Sequence, residues 1–87
     1  MLSVTNAARK HIANMLSQAG AREVVRISSS PEGIRFAVDR ERIGDTTFND
    51  GSKCILVLDQ MVLRSISGKT LDVETEDGKP RLVLFGE

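Results

Sequence analysis

Few residues of this chain could act as nucleophiles, general bases or soft metal ligands. The sequence contains one cysteine, Cys54, and one histidine, His11. One cysteine can form neither an internal disulfide nor a thiolate cage around a metal within one chain. Because Cys54 lies in the apolar run of residues 53–58, we predict a buried structural thiol. His11 has no Cys, Asp or Glu three or four residues away to orient it, so we expect it on the exposed side of a helix.

Two polar clusters could bind ions. The segment Ser28-Ser29-Ser30-Pro31 could form an anion-binding loop, but no glycine-rich turn opens a helix after it. Asp72, Glu74 and Glu76 alternate along one strand face, roughly 7 Å apart, which is too loose for one cation without other ligands. We therefore predict a solvated sheet face there.

Three arginines could form a basic patch on neighbouring strands, namely Arg22, Arg26 and Arg35. No aromatic residues accompany them, and the 12 basic and 12 acidic residues give the chain a formal charge of zero. We therefore expect no nucleic-acid partner. Acid–base and nucleophilic catalysis need converging groups, and none can be assembled, so we predict that the chain is not an enzyme and has no cofactor.

The composition is that of one small domain over residues 1–87. It is 40% hydrophobic and 28% charged, which is typical of a globular protein. No apolar run approaches the roughly 18 residues of a membrane span, and the N-terminus has no signal-peptide core. We expect a cytoplasmic protein without a membrane partner.

Hydrophobic periodicity predicts the elements. An apolar stripe predicts a long helix over residues 6–19, capped by Thr5 and closed by Gly20. Alternation predicts strands over residues 23–28, 33–39, 46–48, 53–58, 70–76 and 81–85, and Asp59 should cap a short helix over residues 60–66. This order indicates an α+β domain with a mixed or antiparallel sheet around the long helix. Its predicted core places Ile12, Met15 and Leu16 against Phe36, Ile55, Val57 and Leu71.

Several short segments, taken in order, resemble one known family. They are Leu2-Ser3-Val4-Thr5-Asn6-Ala7-Ala8, Val24-Val25-Arg26-Ile27, Gly44-Asp45-Thr46-Thr47-Phe48-Asn49-Asp50-Gly51, residues 53–59 and Gly68-Lys69-Thr70-Leu71-Asp72-Val73. The sequence is similar to the HesB-like family, the A-type carriers of iron–sulfur cluster assembly. The resemblance implies a single HesB-like domain over residues 1–87.

The ligand residues of that family are not matched. The carriers hold iron or a cluster with a cysteine in a Gly-Gly-Cys-Ser-Gly loop and a C-terminal Cys-Gly-Cys pair. Here the loop has the sequence Ser29-Ser30-Pro31-Glu32-Gly33, and the resemblance places Pro31 at the cysteine position. Gly33 and Phe36 match the last loop glycine and the following aromatic residue. The sequence ends at Glu87 without a Cys-Gly-Cys pair, so we expect no metal ligands of the family type.

Three functions follow from these departures. The leading hypothesis is a non-catalytic HesB-like domain with an accessory role, binding a protein partner or a second copy of itself. The alternative keeps an iron or cluster role, with Cys54 or the acidic strand supplying ligands across a dimer. A further alternative is a small-molecule-binding domain. An iron and sulfide assay separates the first two hypotheses, and a ligand-induced thermal shift tests the third.

Overall fold

The computed structural model describes residues 2–86. This part of the chain forms seven strands and two helices, in the order β1 (Ser3–Val4), α1 (Asn6–Leu16), β2 (Glu23–Ser30), β3 (Gly33–Arg40), β4 (Thr46–Asp50), β5 (Lys53–Leu58), α2 (Gln60–Ser65), β6 (Thr70–Glu76) and β7 (Lys79–Phe85). The predicted α+β class is confirmed. Neither helix is long and apolar enough to cross a lipid bilayer.

The strands form two sheets. One has the order β1-β6-β7 and the other the order β3-β2-β5-β4. β1 pairs with β6 and β2 with β5 in parallel, whereas the other neighbouring strands pair antiparallel. The predicted mixed pairing is confirmed, but the strands form two sheets rather than the one sheet expected.

α1 begins where the sequence indicates and ends earlier. The Thr5 hydroxyl accepts a hydrogen bond of 3.1 Å from the Ala8 N–H, which confirms the predicted cap. The helix ends at Leu16 rather than at residue 19, because Ser17 closes it by donating both its N–H and its hydroxyl to the Asn14 carbonyl. The expected closure by a left-handed Gly20 is wrong, since Gly20 is not among the glycines with positive φ.

A single hydrophobic cluster joins α1 to both sheets. Ile12 and Leu16 are buried in it with Ile55 and Leu71, as predicted, whereas Met15 and Phe36 are only partly buried at its margin. Val57 is fully buried but does not belong to the cluster. It is the register partner of Arg26 on β2, so it lies on the side of the sheet that bears the Arg26 side chain.

The connection between β3 and β4 crosses a sheet. These strands lie at opposite edges, so residues 41–45 must pass β2 and β5 to join them. Three strand spacings amount to about 14 Å, and five residues reach at most about 18 Å. The crossover therefore has little slack, and its two ends need fixed anchors.

The elements of the second half of the chain lie where the local sequence patterns predict them. Asp59 caps α2 by accepting a 2.9 Å bond from the Val62 N–H. β5 is buried from Ile55 to Leu58, which makes it the most enclosed strand. The β6–β7 turn uses Asp77 and Gly78, both at positive φ, as the Asp-Gly dipeptide predicts.

Candidate functional site

The β2–β3 turn occupies the position of the cysteine loop in the sequence resemblance. β2 continues to Ser30, which is the register partner of Gly33, so Pro31 and Glu32 alone form the turn. The Ser30 hydroxyl accepts from the Glu32 N–H and donates to the Gly33 carbonyl, at 3.2 Å in each bond. Ser29 and Ser30 were expected in the loop; they are strand residues, because the β2–β3 ladder extends to the turn.

The chemistry of this turn is that of a surface hairpin. Pro31, Glu32 and Gly33 are exposed, and Gly33 has a φ of +124°, which an L side chain rarely adopts. The turn presents one carboxylate, one hydroxyl that is already bonded, and no thiolate or imidazole. Its groups do not fit a thiolate-bound metal or cluster.

Cys54 lies at the other end of the same sheet. Leu56 of β5 is the register partner of Val25 of β2, so Cys54 lies beside Glu23. Glu23 precedes Pro31 by eight residues along the chain of β2. At about 3.3 Å per residue, the thiol and the turn are about 26 Å apart along the strands. Cys54 therefore cannot replace a loop cysteine within one subunit.

The Cys54 thiol is less enclosed than the sequence predicts. It is half-buried, because Cys54 is only the second residue of β5 and the strand end opens onto a surface concavity. Partial burial, assisted by the negative charge of Glu41, raises the pKa of the thiol. The neutral thiol is therefore favoured, and the Leu56 carbonyl accepts a weak contact from Sγ at 3.9 Å.

The most developed polar cluster surrounds Arg26. Its guanidinium donates from Nε to Asp39 at 2.7 Å, from Nη1 and Nη2 to the two Asp45 oxygens at 3.0 and 2.7 Å, and from Nη2 to the Arg40 carbonyl at 2.9 Å. The Arg26 and Asp45 side chains are 11% and 4% exposed. Arg42 adds its N–H to Asp45 at 2.7 Å and its guanidinium to Asp39 at 3.2 Å.

This cluster anchors both ends of the crossover. Asp39 and Arg40 end β3, and Asp45 comes directly before β4, so one arginine on β2 holds the entry and the exit of residues 41–45. The hydrogen bonds from Arg26 lower the pKa of Asp45. For Asp39, the Arg40 N–H and then Arg26 lower the pKa of the carboxyl. The pKa of Arg26 is raised, mainly by Asp45. These mutual effects are those of a structural ion cluster.

Sequence reasoning missed the role of Arg26. The available signal was a charged residue in the middle of the apolar run Val24-Val25-Arg26-Ile27, which requires a buried partner. The candidate partners were numerous, because residues 39–45 contain five charged residues. Only the crossover geometry selects Asp39 and Asp45.

The predicted acidic face separates into two structural roles. The Thr5 hydroxyl donates to Asp72 at 2.8 Å, so Asp72 links the start of α1 to β6. Glu74 and Glu76 are exposed and lie 3.7 and 3.0 Å from the Arg81 guanidinium. Among residues 2–86, no three His, Cys, Asp or Glu side chains are placed to share a metal ion. His11 is half-buried, rather than fully solvent-facing as expected.

The sequence comparisons give no match. No family model matches the sequence. No curated protein matches it significantly.

Solved structures of known proteins match this fold over nearly the whole chain. Escherichia coli SufA, which is involved in the biosynthesis of iron–sulfur clusters, superposes with a TM-score of 0.82 at 20% identity, covering 98% of this chain and 84% of SufA. IscA, solved with a [2Fe-2S] cluster, gives a TM-score of 0.65 at 13% identity, covering 99% of this chain and 82% of IscA. Both neighbours are A-type iron–sulfur assembly proteins of the HesB-like family. The fold expected from the sequence resemblance is thereby confirmed: this chain has the HesB-like fold of the A-type iron–sulfur cluster assembly proteins.

Proposed function

We propose that this chain is a non-catalytic HesB-like domain that acts through protein contacts and does not hold iron or a cluster. The observation that carries the proposal is the β2–β3 turn, where Pro31 and Glu32 close a tight hairpin with no soft ligand. Proline offers neither a thiolate nor an imidazole, so the family's loop ligand has no counterpart at this position.

The position of the thiol supports the same proposal. Iron–sulfur clusters are held mainly by several cysteine thiolates. This chain has one, Cys54, and it lies about 26 Å along the sheet from the turn. Its raised pKa also disfavours the thiolate that iron binding requires.

A groove beside β4 supports the interaction role. β4 is an outer strand, so one side of its backbone has no strand partner among the described residues. The groove is lined by Thr46, Thr47 and Phe48 of β4 and by Leu63, Arg64 and Ser67 of the α2 region. Successive side chains of a strand point to opposite faces of the sheet. Three consecutive residues can still line one groove when the groove runs along the edge of the strand, where both faces are within reach. Such an edge is suited to pairing with an extended segment of another protein.

Reconstitution under anaerobic conditions tests the proposal. The wild-type chain, its Cys54→Ser variant and E. coli SufA as positive control are incubated with ferrous iron and sulfide, desalted, and assayed for iron, sulfide and visible absorption. We expect SufA to become coloured and the two forms of this chain to stay colourless with substoichiometric iron. Stoichiometric iron with thiolate-to-iron absorption that Cys54→Ser abolishes would replace the proposal with the dimer-shared iron site.

A second measurement tests the interaction half of the proposal. Crosslinking in the source cells, followed by identification of the joined residues, should place partner crosslinks near β4 and α2. Crosslinks distributed evenly over the surface, or none to other proteins, would contradict a role based on protein contacts.

A further inference from the structure

The concavity beside Cys54 brings together side chains from three separate elements. Arg22 precedes β2, Arg40 ends β3 and Lys53 begins β5, and all three line one open cavity of about 400 Å³. Ala21, Val24, Glu41 and Cys54 complete its wall. The strand order explains the convergence, since β3, β2 and β5 are neighbours and these residues lie at the same end of the sheet.

The three cations of this concavity have no countercharge bound to them. In the described chain, ion pairs engage Arg26, Arg42 and Arg81, and no side-chain hydrogen bond or ion pair engages Arg22, Arg40 or Lys53. Glu41 is the single acidic residue of the lining. The concavity therefore has a net formal charge of +2 in a chain whose overall charge is zero.

The structure also changes the grouping of arginines that the sequence indicates. Arg26 forms ion pairs with Asp39 and Asp45. Arg35 lies five residues from Arg40 along β3, which is about 17 Å. Arg22 instead lies with Arg40 and Lys53. The basic cluster is thus a compact concavity rather than a long stripe along a strand, and it has no aromatic residue on which a nucleic-acid base could stack.

We propose that this concavity binds a small multivalent oxyanion, of the polyphosphate or polycarboxylate class. Two guanidinium groups present planar pairs of N–H donors that match phosphate or carboxylate oxygens, and the lysine adds a mobile point charge. The net charge of +2 suits a ligand with at least two negative charges. The neutral Cys54 thiol does not repel such a ligand, and Val24 supplies an apolar wall for its carbon frame.

Pyrophosphate and citrate are the two probes that separate the ligand classes. Isothermal titration at low ionic strength, with chloride at equal ionic strength as reference, should show one-to-one binding of at least one probe to the wild-type chain. Arg40→Gln and Arg22→Gln should each weaken that binding about tenfold or more, as expected for the loss of a charge-assisted hydrogen bond. Glu41→Gln should strengthen it, because the change removes the one repelling carboxylate.

Arg35→Gln is the matched control, since Arg35 is exposed on the same sheet and lies outside the concavity. It removes the same charge and should leave the affinity unchanged. The bound probe should also slow alkylation of Cys54 by iodoacetamide in the wild type but not in Arg40→Gln. Absence of binding by both probes, equal weakening by Arg35→Gln, or weaker binding in Glu41→Gln would overturn the proposal. Far-UV circular dichroism of each variant excludes unfolding as the cause.

Discussion

Replacing Asp45 by alanine removes the carboxylate that fixes the exit of the β3–β4 crossover to β2. That carboxylate accepts two bonds from the Arg26 guanidinium and one from the Arg42 N–H, at 2.7–3.0 Å, and it is 4% exposed. After the change, Arg26 keeps Asp39 as its only carboxylate partner. The variant therefore leaves a largely buried cation with half of its countercharge.

The expected loss of stability follows from the burial of the ion cluster around Arg26. Breaking an enclosed ion pair by removing one partner costs about 3–5 kcal/mol, whereas exposed pairs contribute about 0–1 kcal/mol. Asp39 is 31% exposed, so water partly screens the charge that remains. We expect Asp45→Ala to lower the free energy of unfolding by about 2–3 kcal/mol. A domain of 87 residues has a total of about 4–13 kcal/mol, so the loss is large.

Urea unfolding followed by far-UV circular dichroism measures this loss, because the chain has no Trp or Tyr to report by fluorescence. Arg42→Gln is the control, since the Arg42 side chain is 70% exposed and its ion pair should contribute little. A double-mutant cycle of Asp45→Ala with Arg26→Ala should give a coupling energy above about 1 kcal/mol. Equal effects of Asp45→Ala and Arg42→Gln, or no coupling, would refute the anchoring role.

Four further outcomes follow from the packing and the cluster. Acid should destabilise the chain as pH falls through the lowered pKa values of Asp39 and Asp45, since the unfolded chain binds those protons more readily; a stability independent of pH below about 4, or an unchanged slope in Asp45→Asn, would contradict this. Leu16→Ala should cost about 2–5 kcal/mol by urea unfolding, and the exposed Asn14→Ala far less; similar values would contradict the α1 core. Thr5→Val should cost about 1–2 kcal/mol by losing the cap and the Asp72 bond, and no loss would contradict the link between α1 and β6. Native Cys54 should react slowly with iodoacetamide and fast in denaturant, and an equal rate in both would contradict a protonated, half-buried thiol.

Local signals predicted most of the fold. Period-two and helical alternation placed every strand from β2 onward and both helices, and Thr5 and Asp59 act as the caps that their residue types indicate. The end of α1 was misplaced, since Ala19 continues the apolar stripe while Ser17 closes the helix backbone. The hydrophobic pattern favours a later end of α1 than the backbone hydrogen bonds do, and the periodicity of the sequence reports only the hydrophobic pattern.

Contacts between residues that are distant in the sequence could not be predicted from it. Arg22, Arg40 and Lys53 are separated by 18 and 13 positions, and only the strand order β3-β2-β5 brings them to one end of a sheet. The pairing of Arg26 with Asp39 and Asp45 depends on a crossover between opposite sheet edges. Cys54 was predicted to be buried because its neighbours are apolar, but its exposure depends on where the strand begins. Charged partners and cavities are properties of topology, which local periodicity does not encode.

The iron content of protein isolated without oxygen decides whether this chain holds iron or a cluster. The full chain and E. coli SufA are expressed in the same cells, purified anaerobically and analysed for iron and acid-labile sulfide per polypeptide. With Pro31 in the β2–β3 turn and Cys54 about 26 Å away along the sheet, we predict far less than one iron per polypeptide for this chain. An iron-to-sulfide ratio of about one at cluster stoichiometry in this chain would contradict the account.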